Sequence, residues 1–265
     1  MNAAIFTKSA KGLILASGLI AASSVLGYAQ DAPVALGSQA TVPLSSYYVL
    51  PPTGSASLGG HSFDMSGGNL IQLGNAQSAT FNGSWSNAKG AYLLLNSANT
   101  YLWYDQTVVG NVTITFSDGT TQSTDLMVGG NLREWRTGSG NTVSWIYDTA
   151  AAQVWLTTAQ DGMGGGEAVI DMLSISLPGK TATAITVTNS NTWGALMIDL
   201  AGLTVDYVAP QPTPQPQPDC TRPGNSCNTP AAENSQSQKW QPSGTVTSNS
   251  TTQHTNNGHK PHGTH

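Results

Sequence analysis

The stretch 111–128, NVTITFSDGTTQSTDLMV, leaves this chain few folding choices. Val112, Ile114 and Phe116 alternate with Thr113 and Thr115. That period of two sends the apolar residues to one face of a strand and the threonines to the other. Ser117-Asp118-Gly119 supplies a tight turn, and a second strand runs on to Val128. A lone hairpin is marginal in water, so other strands must complete a sheet around this one.

The sequence supplies them. SATFN (78–82), AYLLLN (91–96), AVIDMLSISL (168–177), AITVTN (184–189) and ALMIDLAGLTVDY (195–207) read as strands, with weaker signals at VPLSSYY (42–48) and LIQL (70–73). Turn signals separate them at short intervals, and no segment outside the first thirty residues sustains a helical period. Short strands so spaced predict an all-β fold, a jelly-roll β-sandwich. Plentiful Ser, Thr, Asn and Gly with few charges suit the turns and exposed faces of an extracellular domain of that class.

The two ends read differently. Lys8 and Lys11 precede an apolar run, Leu13 to Leu26, and Gly27-Tyr28-Ala29 closes it with a small-x-small pattern. We read residues 1–29 as a secretory signal cut after Ala29; the run is too short and too rich in small residues to favour a membrane span. The β-sandwich domain is expected over 33–208. A Pro-rich linker follows at 209–218, where APQPTPQPQP favours an extended spacer. The polar stretch 219–265 lacks any apolar pattern and is expected to be a disordered tail.

Charge narrows the partners. Between Gln30 and Pro210 twelve acids face only Lys89, Arg133, Arg136 and Lys180. A surface so acidic repels phosphate backbones, which argues against nucleic acid. The mature chain carries no further run of spanning length, so it is expected outside the cytoplasm: secreted, extracellular, at the cell surface or in a periplasm.

Several motifs bear on chemistry. Cys220 and Cys227 frame CTRPGNSC, and in an oxidising compartment the Pro-Gly turn favours a small disulfide loop. His254, His259, His262 and His265 crowd the C-terminus, where imidazoles on a flexible segment can gather a transition metal, or simply stay solvated. The loop DGMGGGE (161–167) precedes a strand rather than a helix, so it does not match a phosphate loop. Its Asp161 and Glu167 are candidate calcium ligands; the alternative is a plain mobile loop. Nucleophilic catalysis finds no support, since His61 is the domain's only histidine and no cysteine or G-x-S-x-G elbow accompanies it. Glu134, Glu167, Asp171 and Asp199 can in principle supply a glycosidase pair. We read no catalytic residues.

Aromatics give the stronger lead. Trp85, Trp103, Tyr104, Trp135, Trp145, Tyr147, Trp155 and Trp193 all fall in the domain. Sugar rings stack on such faces while Arg, Asn and Asp bind hydroxyls. GGNLREWRTG (129–138) concentrates half of the domain's positive charge beside Trp135. If 131–136 is extended, Leu132, Glu134 and Arg136 share one face, and Asn131, Arg133 and Trp135 the other. The ligand contacts so suggested are Arg133, Trp135, Arg136, Trp145, Tyr147 and Trp155. The competing reading makes Arg133 a clamp on Asp125, Asp148 or Asp171.

The order VTITFSDGTTQ, LMVGGNLREW, VIDMLSISLPGKTATAITVTN and LAGLTVDY resembles galactose-binding-domain-like β-sandwich modules of secreted bacterial proteins, over about residues 40–207. That resemblance implies a jelly roll, often with structural calcium, and a glycan-binding role. The function expected is therefore non-catalytic binding of a surface or matrix carbohydrate. Two other roles stay open: a structural or adhesive part of a cell-surface layer or biofilm matrix, and glycoside hydrolysis.

Overall fold

The structure, a computed structural model, describes residues 29–138 and 140–209. The chain divides into Met1–Pro212 and Thr213–His265, and the second unit lies outside the described residues. The expected Cys220–Cys227 loop, the C-terminal histidines and the signal up to residue 28 fall outside them as well.

Thirteen strands are described: β1 Ala29–Val34, β2 Val42–Pro43, β3 Gly54–Leu58, β4 His61–Met65, β5 Asn69–Leu73, β6 Ser78–Trp85, β7 Gly90–Ala98, β8 Val108–Phe116, β9 Thr121–Met127, β10 Ala151–Thr158, β11 Glu167–Ser176, β12 Ala182–Asn189 and β13 Met197–Val208. The larger sheet runs β10-β11-β7-β13-β5-β2, with β1 also paired to β13; the smaller runs β6-β12-β8-β9; β3 and β4 form a separate hairpin. From β5 onward the chain passes back and forth between the two sheets, which is the crossing pattern of a jelly roll. All strand pairs are antiparallel. No helix among the described residues is long and apolar enough to cross a membrane.

The two sheets bury different patterns. In the smaller one Val112, Ile114, Phe116, Ile185 and Val187 enter the interior, and the outward face carries Thr80, Thr113, Thr115 and Thr186. Thr80 and Thr186 meet across strands at 3.0 Å. The larger sheet is buried on both faces. Leu93, Leu95, Ile198 and Leu203 pack inward against the small sheet. Leu94, Ala98, Ile170, Met172 and Ala201 form a second cluster with Leu44, Tyr47, Phe63 and Met65 from the β3–β4 hairpin and the neighbouring turn. Coverage on both sides explains why AYLLLN and AVIDMLSISL read as nearly continuous apolar runs instead of alternating. The interior is thus two cores, one on each face of one sheet.

The reading missed β1, the β3–β4 hairpin and β10. GSASL has no β-branched or aromatic residue to mark it, and AAQVWLTT is interrupted by a register shift between Gln153 and Trp155. Strand β1 begins ahead of the expected domain start at Pro33 and pairs with β13 from Ala29 to Val34.

Candidate functional site

The NLREW segment is wedged into the large sheet where β7 and β11 diverge. Ser97 N–H donates to the Arg133 carbonyl (2.8 Å), Trp135 N–H to Ser97 (2.9 Å) and Val169 N–H to Trp135 (2.8 Å). Its entry turn depends on two residues. Asn131 accepts from Met127 N–H (2.9 Å) and donates to the Asp125 carbonyl (2.9 Å), so its side chain holds the turn. Gly129 adopts φ 75°, and a β-carbon there would collide with Asp105.

Arg133 is 8% exposed and committed to the fold. Its Nε and Nη2 grip both oxygens of Asp171 at 2.6 Å each, Nη1 reaches the Ser144 carbonyl (3.0 Å), and Nη2 reaches Gln153 (3.0 Å). Asp171 takes a further bond from Asn96 Nδ2 (2.9 Å). Four of the five N–H donors of Arg133 are spent in these contacts. Trp135 is 4% exposed, packed edge-on against Tyr47 (4.8 Å, 85°) and Tyr48 (5.7 Å, 74°). Its ring face belongs to the second core, which corrects the expectation of a sugar-stacking surface there. The strict alternation expected over 131–136 is broken too, because Glu134, Trp135 and Arg136 all border one cleft.

That cleft, of about 360 Å³, is bordered by Tyr47, Gln72, Asn99, Glu134, Trp135 and Arg136, with Met163 and Met197 at its apolar wall. Glu134 is buried, and burial pushes its carboxyl up to about 7 despite a 2.8 Å bond from Thr100 N–H. Asp199 leaves β13 on the same side as Met197, because its neighbours Ile198 and Leu200 enter the main core. Burial pushes it up to about 7; the Gln72 amide opposes the rise, and the Glu134 charge adds to it. Gln72 Nε2 bridges the Tyr47 hydroxyl (2.6 Å) and Asp199 Oδ1 (3.0 Å). Asp199 Oδ2 is buried with no hydrogen-bond partner. Arg136 turns Nη1 onto the Met163 carbonyl.

The remaining predicted residues lie elsewhere. None of Trp145, Tyr147 and Trp155 borders the cleft. Trp145 and Trp155 are half-buried against the first and second core respectively, and each buries an unpartnered indole N–H. Tyr147 is exposed. Asp161 starts a short 3-10 turn and Glu167 opens β11, both exposed, beside a second hollow lined by Arg136, Thr137 and Gly164 to Gly166. Among the described residues no group of three or more His, Cys, Asp or Glu is placed to hold a metal ion.

Next to the cleft the structure exposes aromatics that the residue list above passed over. The segments carrying Asn99 and Met197 also carry Tyr101, Trp103 and Tyr104 on one side and Trp193 on the other. Trp103 is 62% exposed and stacks on Tyr101 (4.5 Å, 21°); Trp193 is 50% exposed and stacks on Tyr104 (4.5 Å, 23°). Asn99 Nδ2 donates to the Ala195 carbonyl (3.0 Å) and the Tyr104 hydroxyl to the Trp193 carbonyl (3.1 Å), fixing the two loops to each other. Gly194 (φ 70°) allows this approach, since any β-carbon would strike the Tyr104 hydroxyl. Comparison with known protein families, with curated proteins and with solved structures returns no match. The site is therefore argued from its own chemistry.

Proposed function

We propose that this protein is a secreted, non-catalytic carbohydrate-binding module, a β-sandwich of the galactose-binding-like kind, that takes a sugar chain along the Trp103–Trp193 rim and into the adjoining cleft. The observation that carries the reading is the pair of half-exposed tryptophans, each held flat against a tyrosine by fixed loops. Large apolar faces kept in water cost stability and suit a partner with an apolar face of its own. Sugar rings offer such faces, and Tyr47, Gln72 and Asn99 lie close by for hydroxyls. The pre-stacked geometry also lowers the ordering cost of binding.

The test is a glycan array with the full chain, run with and without added calcium, followed by titration of the best ligand. Selective binding, abolished by Trp103→Ala and by Trp193→Ala in proteins with an unchanged unfolding midpoint, supports the reading. Silence from folded protein overturns it and shifts the assignment to a structural role in a cell-surface layer, for which concentration-dependent self-association is the signature. Release of reducing ends, lost in Glu134→Gln, overturns the non-catalytic half.

A further inference from the structure

The cleft is short of positive charge for the acids buried at it. A buried carboxylate must find a cation, a set of donors or a proton. Asp171 has Arg133 and Asn96. Glu134 has one backbone N–H, from Thr100, and Asp199 has one side-chain amide, from Gln72, with Oδ2 left bare at 3% residue exposure. Arg133 is consumed by Asp171, and Arg136, the one cation bordering the cleft among the described residues, spends Nη1 on a carbonyl.

We propose that the cleft accepts the ammonium group of an amino sugar, a pyranose ring whose amine is free rather than acetylated, with Glu134 and Asp199 as its counter-charges and the adjacent rim stacking the neighbouring rings. This rests on the carbohydrate reading above and names its ligand class. An ammonium carries three donors for the Glu134 carboxylate and the Tyr47 and Gln72 oxygens at the cleft border, while Asp199, buried next to Gln72, adds its charge without bordering the cleft. The methionine wall of Met163 and Met197 suits the ring's C–H edge.

A pH signature follows. The groups facing the two acids are Tyr47 and Tyr48 from the turn after β2 and Arg136 from the wedged segment. Burial holds both acids protonated to about 7, and the Glu134 charge adds to the rise at Asp199. An incoming ammonium must displace a proton from them, and it must itself stay protonated. Affinity for the amino sugar is therefore bell-shaped in pH with its maximum near neutrality, whereas affinity for the acetylated sugar is flat there.

The deciding experiment titrates the full chain by calorimetry with a glucosamine tetramer, its N-acetylated counterpart and cadaverine, at about pH 5, 7 and 9, alongside Glu134→Gln, Asp199→Asn and Trp103→Ala. The expected result is about tenfold or greater preference for the free amine near pH 7, lost in both acid variants. Heat of binding should also vary between buffers of different ionisation enthalpy, because a proton is released. Equal binding of both tetramers, lost only in Trp103→Ala, overturns the ammonium assignment and leaves the carbohydrate reading standing. Cadaverine binding as tightly as the glucosamine tetramer overturns the sugar part. No binding of any ligand by folded protein overturns both.

Discussion

Arg133 and Glu134 are neighbours in the chain, yet they enter two buried polar clusters of opposite character. Arg133 closes a bidentate pair on Asp171, supported by Asn96, Gln153 and a backbone carbonyl, and every charge there has an answer. Glu134 borders the cleft with Asp199 buried near it, and neither acid has a cation to itself. The first cluster resembles what folding alone would keep. The second is stable only if its acids hold protons or something else supplies the charge, and that asymmetry sets a closed polar cluster beside an unbalanced one within one five-residue motif.

The comparison is broken most forcefully at the clamp. Arg133→Ala leaves Asp171 buried and unpaired, and should cost about 3–5 kcal/mol in denaturant unfolding. Replacing both partners by apolar residues should recover most of it, because the penalty lies in the orphaned charge. Trp135→Ala opens a cavity between the clusters, against Tyr47 and Tyr48, and should cost about 3–5 kcal/mol by the same measurement.

Across the cleft the response to pH should be inverted relative to ordinary carboxylates. Glu134 and Asp199 titrate near about 4 in the unfolded chain and at about 7 in the folded one, so between these values the folded state holds more protons. Their stabilising contribution is complete below about pH 4 and is lost as pH rises through 7, on the order of 3–4 kcal/mol for each group. Unfolding midpoints measured across that range check the slope, and Asp199→Asn should flatten it. The smallest stability effect belongs to the rim: Trp103→Ala should move stability by less than about 0.5 kcal/mol while abolishing sugar retention, so a large loss of stability there would refute its role as a free surface.

Much of the fold was legible because strands advertise themselves. Val112, Ile114 and Phe116 alternate as a half-buried strand must, and AYLLLN announces a strand covered on both faces. What stayed hidden lacked such marks, as in GSASL, or depended on distant pairing. The NLREW motif stood out for charge, but its clamp on Asp171 joins residues 38 apart, and no local pattern ranks Asp171 above Asp125 or Asp148. One overlooked signal was on view. LIQL, LLLN, VIDML and MIDL each place a single polar residue inside an apolar strand, and these residues, Gln72, Asn96, Asp171 and Asp199, are the ones around which both clusters form. Trp103 and Trp193 were visible as loop aromatics, but their exposure depends on tertiary packing that sequence does not display.

Strand β13 comes last in chain order among the described strands, yet it lies mid-sheet, with β7 along one edge and β5 and β1 sharing the other. A ribosome delivers it after everything it must bridge. Until then β1, β5 and β7 have no common partner, and the hydrophobic faces around them cannot close. Folding of this sheet is therefore deferred until β13 has emerged, and it proceeds through long-range closures that are slow compared with local hairpins. A chain that stays open so long is vulnerable to truncation anywhere upstream of residue 197.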